Sequence, residues 1–244
     1  TRDACASAFL QPVGEGDIIT ATEFSGSTRA FDQNGKLIPI PAYRKFELAS
    51  YIEYGLFDRL TLIVQPFYET ARQDDAAVST PGTEIGARLG LARFGPTVIS
   101  MQGLAHIPFH PGQAPQGGFD EDDILSGDLR LLVGHTFAVE GMPGFVDLQG
   151  GYRWQGDGAP NEWHADFTFG IRPLPRTLLL LQTFATVADG ATRVCASYSW
   201  TKLQESVVYD LSRDWSLQGG FFETVIGVNA GRELGPMAAL WYHF

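Results

Sequence analysis

The chain lacks a hydrocarbon-length apolar run. Its longest purely aliphatic stretch is Leu178 to Leu181, against the roughly 20 residues that a membrane-spanning helix requires. A helical membrane protein is therefore excluded. Cysteine is scarce: Cys5 and Cys195 are the two in 244 residues, too few for a disulfide-dense scaffold. Positive charge is short as well. Lys and Arg total 17 against 28 Asp and Glu, a formal net charge of −11. A phosphate-binding surface needs the opposite balance, so nucleic acid is excluded as a partner. Small polar or cationic solutes fit better, although an acidic surplus also serves solubility. Helical periodicity is missing too; no stretch repeats its apolar residues with a period of 3.6.

What is present favours strands. The chain holds 28 glycines and is 12% aromatic, which suits strands joined by tight turns. Apolar residues recur at every second position. In "MAALWYHF" they fall at Ala238, Leu240, Tyr242 and Phe244, the period of a strand with one apolar face. The same period predicts twelve strands, near 16–30, 43–56, 60–71, 83–94, 98–107, 124–138, 144–154, 162–173, 177–187, 195–211, 215–227 and 231–244. Most exceed the roughly 9–11 residues of a tilted spanning strand, whereas soluble strands average about 5–6. "ACASA" before Phe9 has the small-x-small pattern of a signal-peptidase site. Residues 1–15 therefore read as an N-terminal tail or signal remnant and residues 16–244 as the folded unit.

The connections alternate in length. "FDR", "FGPT", "EGMPG", "PLPR" and "SRD" are short; "FDQNGKLIPIPA", "QDDAAVSTPGT", "PFHPGQAPQGGFDEDD", "QGDGAPN" and "DGATRV" are mostly longer and more polar. Sorting loops by length onto two ends fits an outer-membrane barrel, with short periplasmic turns and longer external loops. The strands also divide into two faces. Phe46, Leu48, Ile52 and Tyr54 oppose Lys45, Glu47, Tyr51 and Glu53; Trp163, Ala165, Phe167, Phe169 and Ile171 oppose Glu162, His164, Asp166, Thr168 and Arg172. Tyr54, Phe57, Phe94, Phe137, Tyr209, Trp215, Tyr242 and Phe244 flank the short turns, as an interfacial aromatic girdle would. The expected fold is all-β: a closed up-and-down antiparallel transmembrane β-barrel of about twelve strands with both termini periplasmic.

A resemblance supports this. Phe244, with Tyr242 and Leu240 alternating before it, resembles the assembly signal of bacterial outer-membrane proteins, with Ala239 and Met237 near the places of that signal's upstream polar residue and glycine. "QPVGEGDIITATEFSGSTRAFDQNG" with "YRKFELASYIEYGLFDRLTLIVQP" resembles uncharacterised proteobacterial transporter-like barrels, and the architecture resembles the phenol-degradation meta-pathway type. The resemblance implies a twelve-stranded barrel and small-solute passage, and carries over no catalytic residue.

Lys45, Glu47, Glu53, Glu84, Arg88, Asp128, Arg130, Asp166 and Arg172 are expected to line the lumen; they read either as a selective pore or as an ion-pair network that fills it. Both signs are expected there, because like charges in a restricted lumen are costly. "HIPFH" (His106, His110) before Asp120, Glu121, Asp122 and Asp123 offers metal-binding residue types, but no EF-hand spacing, and reads as a solvated loop; no metal or cofactor is expected. A hydrolase needs a nucleophile, base and orienter that meet in space. There is no G-x-S-x-G, and nothing joins Ser126 or Ser206 to His164, while His135 falls low on the outward face. A Cys5–Cys195 bridge would require the N-terminal tail to thread the lumen; two unpaired thiols are the simpler expectation. Glu205 and Glu223 fall on the lipid-facing side and mark a bulge, a partner surface or a register error. The leading reading is an outer-membrane channel for passive passage of small solutes, embedded in a lipid bilayer. A lipid hydrolase, and a non-conducting barrel partnering another envelope protein, are the alternatives.

Overall fold

A computed structural model describes residues 7–73, 76–109, 125–156, 158–193 and 195–244. Among them every regular element is a strand: β1 (Gly16–Phe31), β2 (Leu37–Phe57), β3 (Leu60–Gln73), β4 (Ala76–Phe94), β5 (Thr97–Pro108), β6 (Ser126–Val139), β7 (Met142–Gln155), β8 (Glu162–Leu174), β9 (Thr177–Ala188), β10 (Ser199–Asp210), β11 (Trp215–Val228), β12 (Ala230–Gly231) and β13 (Leu234–His243). The two-residue β12 and β13 both pair with β1, so they are two pieces of one closing strand. All pairings in the sheet are antiparallel between neighbours, and β1 bonds to β2 on one side and to β13 on the other. The sheet is thus a closed barrel with no free edge, which removes the unpaired amides that hydrocarbon cannot tolerate.

The expected strand positions hold, with corrections at β2, β4 and β10. β2 begins at Leu37 and β4 at Ala76, so most of "FDQNGKLIPIPA" and of "AAVSTPGT" is strand rather than loop. Pro39 pairs opposite Arg29 beside a bulge in β1, and Pro81 opposite Tyr68. Prolines that suggested loops are accommodated where β1–β4 run on past the length needed to cross a membrane. β10 starts at Ser199, later than the expected 195. The first long-side connection shrinks to residues 32–36, where Asp32 accepts from the amides of Lys36 and Asn34; these bonds hold its carboxyl below the usual range. At the opposite end, β6 and β7 meet in a two-residue turn. Glu140 and Gly141 both take positive φ, 51° and 83°, the conformation that matches the twist of a tight hairpin.

The two faces separate by burial. Large apolar side chains stand exposed on the outer face, among them Leu48, Ile85, Leu131, Leu148, Leu179, Val207, Leu217 and Leu240. Phe57 and Phe94 are the most exposed of the short-turn aromatics, and around the closing seam Trp215, Tyr242, Phe244 and Tyr54 stack in sequence. The opposite face is buried and mostly polar. An apolar region on it joins Phe145, Leu178, Leu180, Val208, Phe222, Met237, Ala239 and Trp241, with Phe9, Ile19 and Ala21 against it. That inward apolar cluster was not anticipated from the pattern. Glu223, expected on the outer face, is ion-paired with Arg232; Glu205 stands exposed between Leu181 and Phe221.

The seam depends on one close approach. A Cβ on Gly235 would lie 1.6 Å from the Phe24 carbonyl oxygen across the β13–β1 junction. Overpacking of this kind costs about 1–3 kcal/mol or more. Gly235→Val is expected to lower the urea midpoint of the refolded barrel and to diminish its heat-modifiable, fast-migrating band on gels. Unchanged values for both would show that the seam relaxes freely.

Candidate functional site: the lumen

The inner surface is built by alternation. Each strand sends every second residue inward, and the residues singled out from sequence take up these positions. Glu53, Arg88 and Asp128 are buried, and Lys45, Glu47, Glu84, Arg130, Asp166 and Arg172 are partly buried. They fall into groups, the first two of which are linked by Arg153 and Asp128, 3.6 Å apart. Arg130 bonds Asp128 at 2.8 Å and Asp166 at 2.5 Å. Arg153 reaches Glu84 at 3.0 Å, and Glu84 also takes His106 at 3.3 Å. Lys45 lies 2.5 Å from Glu69 and 3.5 Å from Glu47. Arg172 pairs with Asp210 at 2.9 Å beside the short turns. Lys202 meets Glu233 at 3.1 Å.

Arg88 is the centre of the remaining group. Its side chain is 0% exposed and lies 2.8 Å from Glu53. It also donates to Tyr51 Oη at 2.7 Å, to Gln102 Oε1 at 2.8 Å and to the Phe9 carbonyl oxygen at 2.9 Å. The last bond shows what the period-two pattern did not reveal: residues 7–13 run inside the barrel. Val13 bridges Gly55. Gln11 bonds Thr61, Asp17 and Glu53. The Ala8 carbonyl accepts from Ser100 Oγ at 2.9 Å, and the Ala8 amide donates to Asp147 Oδ2 at 2.6 Å. Inward-facing glycines clear its path. A Cβ on Gly55 would lie 2.0 Å from the Pro12 carbonyl oxygen, and one on Gly90 would lie 2.5 Å from Leu10. Phe9 turns its ring edge to Phe145, 6.4 Å away, and so joins the inward apolar cluster. The segment and that cluster together fill the short-turn half of the lumen.

The other half encloses a cavity of about 1160 Å³. Lys45, Glu47 and Glu69 line one side, with Lys202 and Glu233; Arg130, Arg153, His164 and Asp166 line the other, and Tyr43, Trp200 and Tyr198 add aromatic surface. Sequence reasoning also passed over Asp17, bonded to His243 of the closing strand, Glu23 and the buried Thr224. Each sits at an inward position of its strand, so alternation carried that signal.

The catalytic candidates stay apart. His164 bonds Glu162 and Thr186, Ser206 accepts from Gln218, and His135 meets Thr97. His110, Asp120, Glu121, Asp122 and Asp123 lie outside the described residues, as does Cys5. Cys195 lines the cavity, on the side opposite the short turns, with residues 7–13 entering from the other end.

No family model and no curated protein sequence matches the chain. Solved structures do. The chain is similar to the COG4313 outer membrane channel from Pseudomonas putida F1, at a TM-score of 0.72 and 15% identity over 100% of both chains. It is similar to the KdgM porin in complex with disordered oligogalacturonate, at 0.55 and 10% over 93% of this chain and 99% of that one. It is similar to the NanC porin at 0.55 and 7%, over 91% and 98%. These likenesses show the fold, that of a bacterial outer-membrane β-barrel.

Removing Arg88 would leave Glu53 buried without its counter-charge, at a cost of about 3–5 kcal/mol. Arg88→Ala is expected to lower the unfolding midpoint and to open residues 7–13 to protease in the folded barrel. Protection equal to that of the unaltered protein would show that Asp147, Ser100 and Thr61 hold the segment alone.

Proposed function

We propose that the protein is an outer-membrane channel for passive passage of small polar or cationic solutes, with both termini on the periplasmic side. The observation that carries this is the cavity inside a closed barrel, walled in part by charged side chains. The fold shared with structures described as an outer membrane channel and as porins supports it. Lys45, Glu47, Glu53, Glu84, Arg88, Asp128, Arg130, Asp166 and Arg172 act as its lining, sorting solutes by charge without turnover.

The sign of selection follows from the inventory. On the inward face Asp17, Glu23, Glu47, Glu53, Glu69, Glu84, Asp128, Asp147, Glu162, Asp166, Asp210 and Glu233 outnumber Lys45, Arg88, Arg130, Arg153, Arg172 and Lys202. A lumen with this surplus raises the local concentration of cations. The non-conducting structural barrel is the second reading, because the segment and the apolar cluster fill one half of the lumen and Glu205 offers a lipid-facing polar group to an envelope partner.

Planar-bilayer recording separates the two. Folded protein is expected to give a small single-channel current whose reversal potential in a KCl gradient reports cations permeating faster than chloride. Deleting residues 7–12 is expected to enlarge the current severalfold. Silence from both proteins would reject the channel and leave the structural barrel; a reversal potential of anion sign would reject the charge argument.

A further inference from the structure

The outer face carries an unbalanced charge at one place. Arg44 of β2 and Arg72 of β3 are direct cross-strand partners, and both are exposed. Their chain neighbours Tyr43, Lys45 and Gln73 line the cavity, so alternation turns the two arginines outward. Directly opposed residues sit about 4.5–5.5 Å apart at Cβ, and like charges there repel. Neither guanidinium has a hydrogen bond or an ion pair among the described residues; Arg232, by contrast, is held by Glu223. The adjoining register positions hold no carboxylate. Gly26 of β1 faces Arg44 on one side, and Ala77 of β4 faces Arg72 on the other. Arg29 stands exposed farther along β1 and adds to the positive field.

The depth of this pair is a second observation. Tyr54, ten residues along β2 from Arg44, lies in the aromatic girdle beside the short turns, stacked on Phe244. A strand rises about 3.3 Å per residue and tilts about 35–45° in such barrels. Arg44 therefore stands about 25 Å above Tyr54, which is the height of an outer-membrane barrel's apolar band. Arg44 and Arg72 sit at the upper edge of that band, where hydrocarbon gives way to headgroups. Just below them Phe24 and Phe46 meet with ring centroids 4.8 Å apart, and Phe24 is 55% exposed. Gly26 adds no side chain beside Arg44, and a Cβ built there would find its nearest atom at 3.6 Å. The surface is thus open next to one guanidinium and aromatic beneath it.

We infer that this patch binds a phosphorylated glycolipid of the leaflet on the side of the long connections. One phosphate accepts N–H bonds from both guanidinium groups, which relieves their repulsion and suits their planar forks. Gly26 leaves room for the sugar, and the acyl chains run down over Phe24 and Phe46. A free phosphate ion would make no use of that aromatic surface, so the lipid is the better fit. The site lies apart from the lumen and does not rest on conduction; only the naming of the leaflet rests on both termini being periplasmic. The competing resolution of the same repulsion is that the two arginines splay into water, with no ligand.

Native mass spectrometry of the refolded barrel in a neutral detergent decides between them, with lipid A, a bis-phosphorylated acylated disaccharide, as the probe. The titration runs in about 0.15 M ammonium acetate, where attraction between exposed charges more than about 8 Å apart is screened. Saturable binding of one lipid is expected. Arg44→Gln and Arg72→Gln are each expected to weaken it about tenfold. Arg44→Lys, which keeps the charge but loses the planar fork, is expected to weaken it less. Arg213→Gln, altered in a short turn at the other end of the barrel, is expected to leave it unchanged. Lipid A stripped of its phosphates is expected not to bind. Undiminished binding by Arg44→Gln and Arg72→Gln proteins that retain heat-modifiable folding overturns the site, as does capture of the stripped lipid. Displacement of lipid A by an equal concentration of inorganic phosphate overturns the lipid as the ligand. Tighter capture of phosphatidylglycerol than of lipid A overturns the choice of leaflet.

Discussion

Backbone pairing at the β1–β13 seam is the constraint on which the other features depend. Hydrocarbon offers no partner to an amide or carbonyl, so a sheet can lie in a bilayer only when its first and last strands bond to each other. Here β1 meets β13 from Asp17–His243 up to Gly26–Leu234. Closure inverts the usual logic of a sheet. The apolar face turns outward, and every polar side chain on the other face is confined to a narrow interior. It also sets the size of that interior: twelve strands enclose more space than their own side chains fill, unlike smaller barrels. Residues 7–13 occupy part of the difference, and the cavity lies in the remainder.

Confinement makes the interior an exercise in compensation. A buried carboxylate is tolerated when cations or amides answer it. Glu53 has Arg88 and Gln11; Asp128 has Arg130; Asp147 has the Ala8 amide and Gln149; Asp17 has His243 and Gln11. Several of these partners come from the segment before β1. The lumen and that segment therefore complete each other: the wall supplies charges, and the segment supplies backbone donors and acceptors that close the short-turn half. Arg88 ties both together, because it neutralises Glu53 and caps the Phe9 carbonyl with the same guanidinium.

The fold was largely legible in the sequence because a period of two is enforced at every strand by lipid on one side and polar contacts on the other. Strand order and the sorting of turns came with it. Boundaries failed where that pressure ends. Beyond the bilayer both faces of β2 and β4 meet water, and the run from Leu37 to Pro41 no longer alternates, so its prolines looked like loop. Inwardness of Glu84 or Arg130 was readable from alternation; the partner was not. Arg130 and Asp166 lie 36 residues apart, and they meet because β6 and β8 flank β7, where Gly151 leaves room for the Arg130 side chain to cross. Glu223 looked misplaced for the same reason: Arg232, which neutralises it, enters from the connection before β13. The inward segment left a subtler sign. Gly55, Gly90 and Gly134 sit at inward positions near the short turns, and each is the place where a side chain would collide with residues 8–12.

The filled half changes the electrostatics of the open half. Residues 7–13 and the apolar cluster lie below the cavity, so a charge at its floor has protein rather than water beneath it, and charge interactions there are stronger than across a wide water-filled pore. Arg130 with Asp166 and Arg153 with Glu84 hold one another on one wall, and Lys45 with Glu69 and Lys202 with Glu233 do so on the other.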